Sequence, residues 1–180
     1  MRRSFKKGFT LIELVVVLAI IGVLASILVP SVMGYVKKAN RSTDLSTAKT
    51  IYNDSSIVIT DSEKAEAYAG TKTPAANNFT VTHAKNTETY LLYLVAYKEA
   101  NENKQWKLYD SSAQDFIDEL NKMEPDNIAL KFRRLSNGGE LENWFICRRA
   151  DDPNSIEVWA GNSGNKPLFR VWPETDDNYK

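Results

Sequence analysis

One cysteine, Cys147, and one histidine, His83, stand among 180 residues. A single thiol excludes an intrachain disulfide, so any folded domain must rely on its apolar core. A lone histidine in a polar stretch, with no cysteine or second histidine at ligand spacing, excludes the common zinc sites and reads as a solvated surface residue. The spacings GxSxG, the P-loop and HExxH do not occur. The chain therefore lacks a recognisable nucleophile elbow, phosphate cradle or metalloprotease helix and reads as a non-enzyme. Neither sign of charge dominates: 23 Lys and Arg balance 23 Asp and Glu. That balance excludes the basic footprint of a general nucleic-acid binder. No internal repeat and no low-complexity tract appears.

What the chain has in abundance is one apolar run. From Gly8 to Met33 it reads GFTLIELVVVLAIIGVLASILVPSVM, preceded by Arg2, Arg3, Lys6 and Lys7 and interrupted by one charge, Glu13. About 20 apolar residues suffice for a helix to cross a bilayer, at roughly 1.5 Å per residue. A secretory signal would need a shorter apolar region and a cleavage site near Ala25, and Glu13 near its start argues against that reading. A plain anchor tolerates an interior carboxylate poorly, at a cost of about 2.5 to 3.5 kcal/mol mid-span and less near the interface. If instead the chain is cut between Gly8 and Phe9, the new amine lies one helical turn from Glu13, at the i, i+4 spacing that brings groups together. Glu13 would also sit near a helix N-terminus, where negative charge is favoured. Further along, Gly22 and Pro30 are irregularities; Pro30 cannot donate to the carbonyl of Ser26 and loosens that turn.

The stretch KKGFTLIELVVVLAIIGVLASILVP resembles the class III leader and N-terminal helix of type IV pilins and of the related type II secretion and competence pseudopilins. The resemblance covers Lys6 to about Lys38 and rests on the basic leader, Gly8, Phe9, Thr10, Leu11, Glu13 and the uncharged run behind them. It implies cleavage after Gly8 by a membrane prepilin peptidase and N-methylation of Phe9. It implies pairing of Glu13 with the Phe9 amine of a neighbouring subunit, a pair tolerable together in an apolar bundle and costly apart. It also implies that the segment from Gly22 to Pro30 can lose helicity in a filament. Further implied partners are an assembly ATPase and a platform protein, with the cytoplasmic membrane as the site before assembly. The basic leader stays cytoplasmic by the positive-inside tendency, which places the remainder outside. The function so implied is that of a structural subunit of a type IV pilus, a homo-oligomeric helical surface filament for adhesion or motility. The alternative is a minor pilin or a competence or type II secretion pseudopilin, in contact with DNA in one version. Many relatives in Gram-negative bacteria close a C-terminal loop with a disulfide; this chain cannot. Removal of the leader would take four cations from a formally neutral chain and leave it mildly acidic.

Four segments are expected: a leader over 1–8, an anchor and filament-core helix over 9–33, its amphipathic continuation over 34–60, and an α+β head domain over 61–180. The continuation follows from Val36, Ala39, Leu45, Ala48, Ile51, Tyr52, Val58 and Ile59 at helical spacing, with Lys37, Lys38, Arg41, Asp44 and Lys49 on the other faces. One helix from about Phe9 to Ile59 results. Asp61 or Ser62 caps a short helix, SEKAEAYA, stopped by Gly70. The segment ETYLLYLVAYKEANE, capped by Thr87, reads as a second helix, although YLLYLVAY fits a strand as well. SSAQDFIDELNKM, opened by Asp110, reads as a third, with Phe116, Ile117, Leu120 and Met123 on one face. Antiparallel strands are expected at Ile128–Leu135, Glu142–Arg149, Ser155–Ala160 and Leu168–Trp172, joined by SNGGE, ADDPN and GNSGNK. The fold class is α+β, a long helix on an antiparallel sheet.

Few residues of the head suggest a ligand. Asp151 with Asp152, and Glu174 with Asp176 and Asp177, offer oxygen ligands for calcium if their loops meet, but no EF-hand spacing supports this and no cofactor is expected. Lys131, Arg133, Arg134, Arg148 and Arg149, with Phe132, Trp144 and Phe145, make a basic and aromatic set of the kind that binds DNA. Against it, alternation assigns the aromatics to the core and the cations to solvent, so nucleic acid is not an expected partner. Cys147, in the apolar run from Trp144, is expected to be a buried, inert thiol. The sequons at Asn53 and Asn78 carry little weight in a bacterial surface protein.

Overall fold

The computed structural model describes residues 8–72, 79–82, 87–99, 105–109, 111–123, 128–133, 139–164 and 166–179. The leader through Lys7, His83, Asn78, Asp110 and Arg134 lie outside these residues. Helix α1 spans Leu11–Val58, within two residues of the range the apolar spacing predicts. It is followed by α2 (Ser62–Gly70), β1 (Phe79–Thr82), β2 (Thr87–Tyr90), β3 (Leu92–Glu99), β4 (Lys107–Leu108), a 3-10 turn (Ser111–Ala113) leading into α3 (Gln114–Met123), β5 (Asn143–Arg149), β6 (Glu157–Asn162) and β7 (Lys166–Trp172). The chain divides after Ala39 into two units. The first contains only the N-terminal part of α1 among the described residues; the second contains the rest of α1 and every other element.

In the second unit, α1 from Asn40 onward packs on a five-stranded antiparallel sheet of order β4-β3-β5-β6-β7. Ala48, Ile51 and Val58 of α1 share one core with Val95 and Ala96, Trp144 and Ile146, Val158 and Ala160, and Val171. Alternate residues of the same strands face the other way, where Leu92, Leu94, Phe145, Cys147 and Trp159 join Tyr90 in a second cluster. Both faces of the central strands are therefore buried, and β5 shows six consecutive buried residues from Asn143. A register shift between Leu94 and Ala96 inserts one residue into β3, which lets neighbours Val95 and Ala96 enter the same core. Helices α2 and α3 pack together through Tyr68 and Phe116, whose ring centroids are 5.0 Å apart.

Three expectations need correction. The segment from Glu88 is no helix: Thr87–Tyr90 and Leu92–Glu99 are strands, the second paired along β5. Its tyrosines, leucines and Val95 suit a pleated surface, and the neighbouring strand settles what local propensity left open. Ile128–Arg133 is no strand, although its burial alternates as predicted, with Ile128, Leu130 and Phe132 inward. Its main chain finds partners outside a ladder instead: Lys131 N and Phe132 N donate to Asp44, each at 2.7 Å, Trp144 Nε1 donates to Ile128 O at 3.0 Å, and Leu141 N donates to Arg133 O at 2.7 Å. On α1, finally, Asp44 is inside and Leu45 is outside, the reverse of their polarity.

The remaining elements follow their sequence signals. Asp61 caps α2, accepting from Glu63 N at 3.1 Å. In α3, Phe116, Ile117 and Leu120 are buried while Met123 is exposed. Strand β6 requires the glycine near its end, because a Cβ on Gly161 would overlap the Lys166 carbonyl of β7 and the Phe145 ring of β5.

Candidate processing and assembly site

The start of α1 is closed by reciprocal bonds between Thr10 and Glu13. The Glu13 carboxylate accepts from Thr10 N at 2.8 Å and from Thr10 Oγ1 at 2.7 Å, and Glu13 N lies 3.4 Å from the same hydroxyl. Leu14 N donates to Thr10 O at 3.3 Å, the first turn of the helix. This is a capping box: a hydroxyl at the helix start and a carboxylate three residues on satisfy each other's neighbouring donors. Thr10 figures in the leader resemblance; its capping role is what sequence reasoning missed. The signal was present, since Thr10-Leu-Ile-Glu13 is the T-x-x-E pattern in front of an apolar run.

Gly8 and Phe9 precede this box in non-helical backbone and are exposed. A Cβ at Gly8 would meet nothing within 4 Å. Phe9 is 88% exposed, so both residues flanking the expected scissile bond are open to another molecule. Behind the box, every residue from Leu11 to Val36 except Ala25 is exposed, nearly all of them apolar. Helix α1 is long and apolar enough to cross a membrane by length and composition. Around Gly22 and Pro30 the helix is continuous in this chain. Pro30 offers no N–H to Ser26 O, and the Ser26 hydroxyl donates to Val23 O at 2.7 Å, so two irregularities of helical bonding fall between those residues.

The head carries two buried polar centres that periodicity did not reveal. Asp44 is fully buried and accepts from Lys131 N, Phe132 N and, at 2.8 Å, Tyr179 Oη. Burial pushes its carboxyl above the usual range, against the pull of these three donors. On the second sheet face, Glu157 accepts from Tyr90 Oη at 2.9 Å, Trp159 Nε1 at 2.9 Å and Arg170 Nη1 at 3.1 Å. The guanidinium and carboxylate are both almost fully buried, so each compensates the other's lost hydration. These groups hold segments together: Asp44 ties α1 to the 128–133 segment and to the C-terminal tail.

The other candidates disperse. Phe132, Trp144 and Phe145 are core residues. Arg148 is buried and donates to the carbonyls of Arg149 and Thr71, with its guanidinium over the Tyr93 ring. Arg149 stacks on Tyr90 and pairs with Asp151 at 2.8 Å, while Lys131 remains exposed. The basic and aromatic set thus forms no common surface among the described residues. Asp152 and Asp176 bond the N–H groups of their own turns, at Asn154 and Asn178, and Glu174 lies against Arg170. No group of three acidic, histidine or cysteine side chains is placed to hold a metal among the described residues. Cys147 is fully buried, and burial pushes its thiol well above the ordinary range.

Comparison with known proteins covers a minor part of the chain. The family described as "Prokaryotic N-terminal methylation motif" matches residues 3–29. "Type II secretion system core protein G" of Klebsiella michiganensis is 54% identical over 41 residues, 23% of this chain and 29% of that protein. "Type IV major fimbrial protein FimA" of Dichelobacter nodosus is 38% identical over 64 residues, 36% of this chain and 40% of that protein. "Type II secretion system core protein G" of Escherichia coli K12 is 46% identical over 48 residues, 27% of this chain and 33% of that protein. The chain thus spans well under half the length of the curated relatives it matches, and no solved structure matches it. By motif and by these similarities, the N-terminal segment carries a prokaryotic N-terminal methylation motif, that of a class III prepilin leader, and resembles the corresponding part of proteins named type IV major fimbrial protein and type II secretion system core protein G.

Proposed function

We propose that this chain is a structural subunit of a type IV pilus, cleaved after Gly8, N-methylated at Phe9 and polymerised through α1 into a surface filament. One observation carries the reading: a methylation motif leads directly into a capped helix, apolar and exposed over its first turns, whose sole interior charge, Glu13, stands one turn from Phe9. In the bilayer before assembly, that helix is the single anchor and the head lies on the outer side. In the filament, the apolar helices of neighbouring subunits bury one another. Glu13 then faces the Phe9 ammonium of a neighbour, a pair that fixes register because either charge alone is costly in an apolar bundle. Helicity between Gly22 and Pro30 gives way where packing demands it. The prepilin peptidase, the assembly ATPase and the platform protein are the partners this role requires, and the exported head is not an enzyme.

A pseudopilin of a type II secretion system is the second reading, favoured by the similarity to core protein G. Intact-mass and N-terminal peptide analysis of material sheared from the surface of native cells tests both. Abundant filaments beginning at N-methylated Phe9 support the pilus. The same processed end found only in the membrane fraction supports the pseudopilin. A chain that begins at Met1 or beyond Ala25 overturns both.

A further inference from the structure

Two arginines are almost fully buried among the described residues, and only one of them has a counter-charge. Arg170 meets Glu157 at 3.1 Å. Arg148, 3% exposed, donates from Nη1 to the Arg149 carbonyl at 3.1 Å and from Nη2 to the Thr71 carbonyl, with the Tyr93 ring across one face of its guanidinium. No carboxylate pairs with it among the described residues, and its Nε is buried without a partner. Carbonyl oxygens satisfy donors but leave the positive charge uncompensated, which is costly away from water. Burial accordingly pulls the guanidinium below its ordinary range.

A second unsatisfied group adjoins it. Thr71, just past α2, is fully buried; its N–H donates to Tyr68 O at 3.3 Å and its carbonyl takes Arg148, while its hydroxyl has no partner. Buried polar groups without partners are uncommon in folded proteins, and here two of them belong to residues bonded to each other. Both are held in place by the head itself: Arg148 lies in β5, and Tyr68 Oη ties α2 to the same strand, donating to Cys147 O at 3.2 Å and to Ser155 O at 2.7 Å. The bordering residues reach solvent, since Tyr93 is half-buried and Lys72, next to Thr71, is exposed.

We propose that Arg148 and Thr71 form a binding site for one small carboxylate. The Nε–H and a remaining N–H of the guanidinium present the side-on edge that matches two carboxylate oxygens, and the Thr71 hydroxyl is a further donor on the residue that Nη2 already touches. One carboxylate charge balances one guanidinium, whereas phosphate carries more charge than the site can answer. The near-complete closure of Arg148 and Thr71 suits a small molecule and excludes the surface of a docking protein. The site makes no use of α1 and stands apart from the filament reading.

The test is a titration of the full chain in detergent micelles with sodium acetate, against sodium chloride at equal ionic strength, followed through the arginine Nε–H resonances of arginine-labelled protein. The Arg148 resonance is expected to move saturably with acetate and not with chloride, while that of Arg170, already held by Glu157 and Glu174, stays in place. Acetate at about ten times its dissociation constant should raise the melting temperature by about 3 to 5 °C. Thr71→Val keeps the branched shape and loses only a hydroxyl without a partner, so the chain should fold as before and bind acetate about tenfold more weakly. No movement of the Arg148 resonance, or equal movement with chloride, overturns the site and leaves its two groups to buried water. Unchanged affinity in Thr71→Val overturns the pairing of the two residues, and tighter binding of inorganic phosphate than of acetate overturns the carboxylate as the ligand.

Discussion

Asp44→Ala removes the acceptor shared by three buried donors of the head. The substitution leaves two main-chain N–H donors, at Lys131 and Phe132, and the Tyr179 hydroxyl aimed at a methyl group in a buried space. A buried donor left without a partner costs about 1 to 3 kcal/mol. Three such donors would cost about 3 to 9 kcal/mol; water entering the vacated volume and relief of the carboxylate's own desolvation bring this to about 3 to 4 kcal/mol. At roughly 2 to 4 °C per kcal/mol for a chain of this size, the melting temperature should fall by about 6 to 16 °C. Thermal unfolding of the full chain in detergent, followed by the near-ultraviolet signal of its tryptophans, reads this directly. Tyr179→Phe removes one donor and leaves the carboxylate its two amides, so it should cost only about 1 kcal/mol. In the double variant the losses should fall short of additive, because the hydroxyl has nothing to meet once Asp44 is gone. A melting temperature within 2 °C of wild type for Asp44→Ala would refute the argument, since it would mean the three donors are satisfied elsewhere.

The same group sets a pH dependence of definite sign. Its folded value is raised, so the folded state holds the proton more tightly than the unfolded chain does. Its contribution is then greatest below the unfolded value of about 3.9 and declines as pH rises through the folded value. The stability lead of wild type over Asp44→Asn should therefore be larger at pH 4 than at pH 7, and a lead that grows toward neutral pH would contradict the raised value.

Three further outcomes follow from single contacts. Thr10→Ala should loosen the start of α1 by about 1 kcal/mol while Thr10→Ser preserves it, read as amide exchange at Leu11 to Leu14 in micelles; equal exchange in all three chains would remove the capping box. Gly161→Ala should destabilise the head by about 1 to 3 kcal/mol, because the methyl group would overlap the Lys166 carbonyl and the Phe145 ring; an unchanged melting temperature would mean the β6–β7 pairing rearranges freely. Cys147 should resist a maleimide at pH 8 in the native chain and react fully in guanidinium, and rapid native labelling would show that the second sheet face opens.

Where a local pattern decides, the sequence was legible: the length of α1, the Asp61 cap, the inward face of α3 and strands β5 to β7 all follow from spacing or turn composition. Where a partner distant in sequence decides, it was not. Ile128 to Phe132 alternate like a strand, yet the bonds that would have made a ladder go to a carboxylate 87 residues earlier. Leu92 to Glu99 satisfy helix and strand alike until β5 lies alongside. Nothing in the sequence singles out Glu157, because the Arg170, Tyr90 and Trp159 side chains that converge on it come from β7, β2 and β6 and meet only once the head is folded. The acid at position 13 stood out because a charge inside an apolar run is anomalous in one dimension; Asp44 did not, because its anomaly exists only in three.

Those two carboxylates also show how one helix can serve two solvents. Asp44 sits in a protein core and is held by donors that other segments bring to it, so it is satisfied only when the head is folded. Glu13 sits at the head of an apolar helix and takes its two bonds from Thr10, three residues away, so it is satisfied without any partner chain. A carboxylate so bonded and close to the positive end of a helix is far less costly in the bilayer than one mid-span. In the proposed filament, the same oxygens must turn to the ammonium of a neighbouring Phe9, and a charged pair in an apolar bundle exceeds a hydroxyl and an amide in strength. On the proposed filament reading, the capping box would hold Glu13 until a neighbour's ammonium replaces its bonds, so the amine that leader cleavage would create sets the register while the apolar helices supply the cohesion.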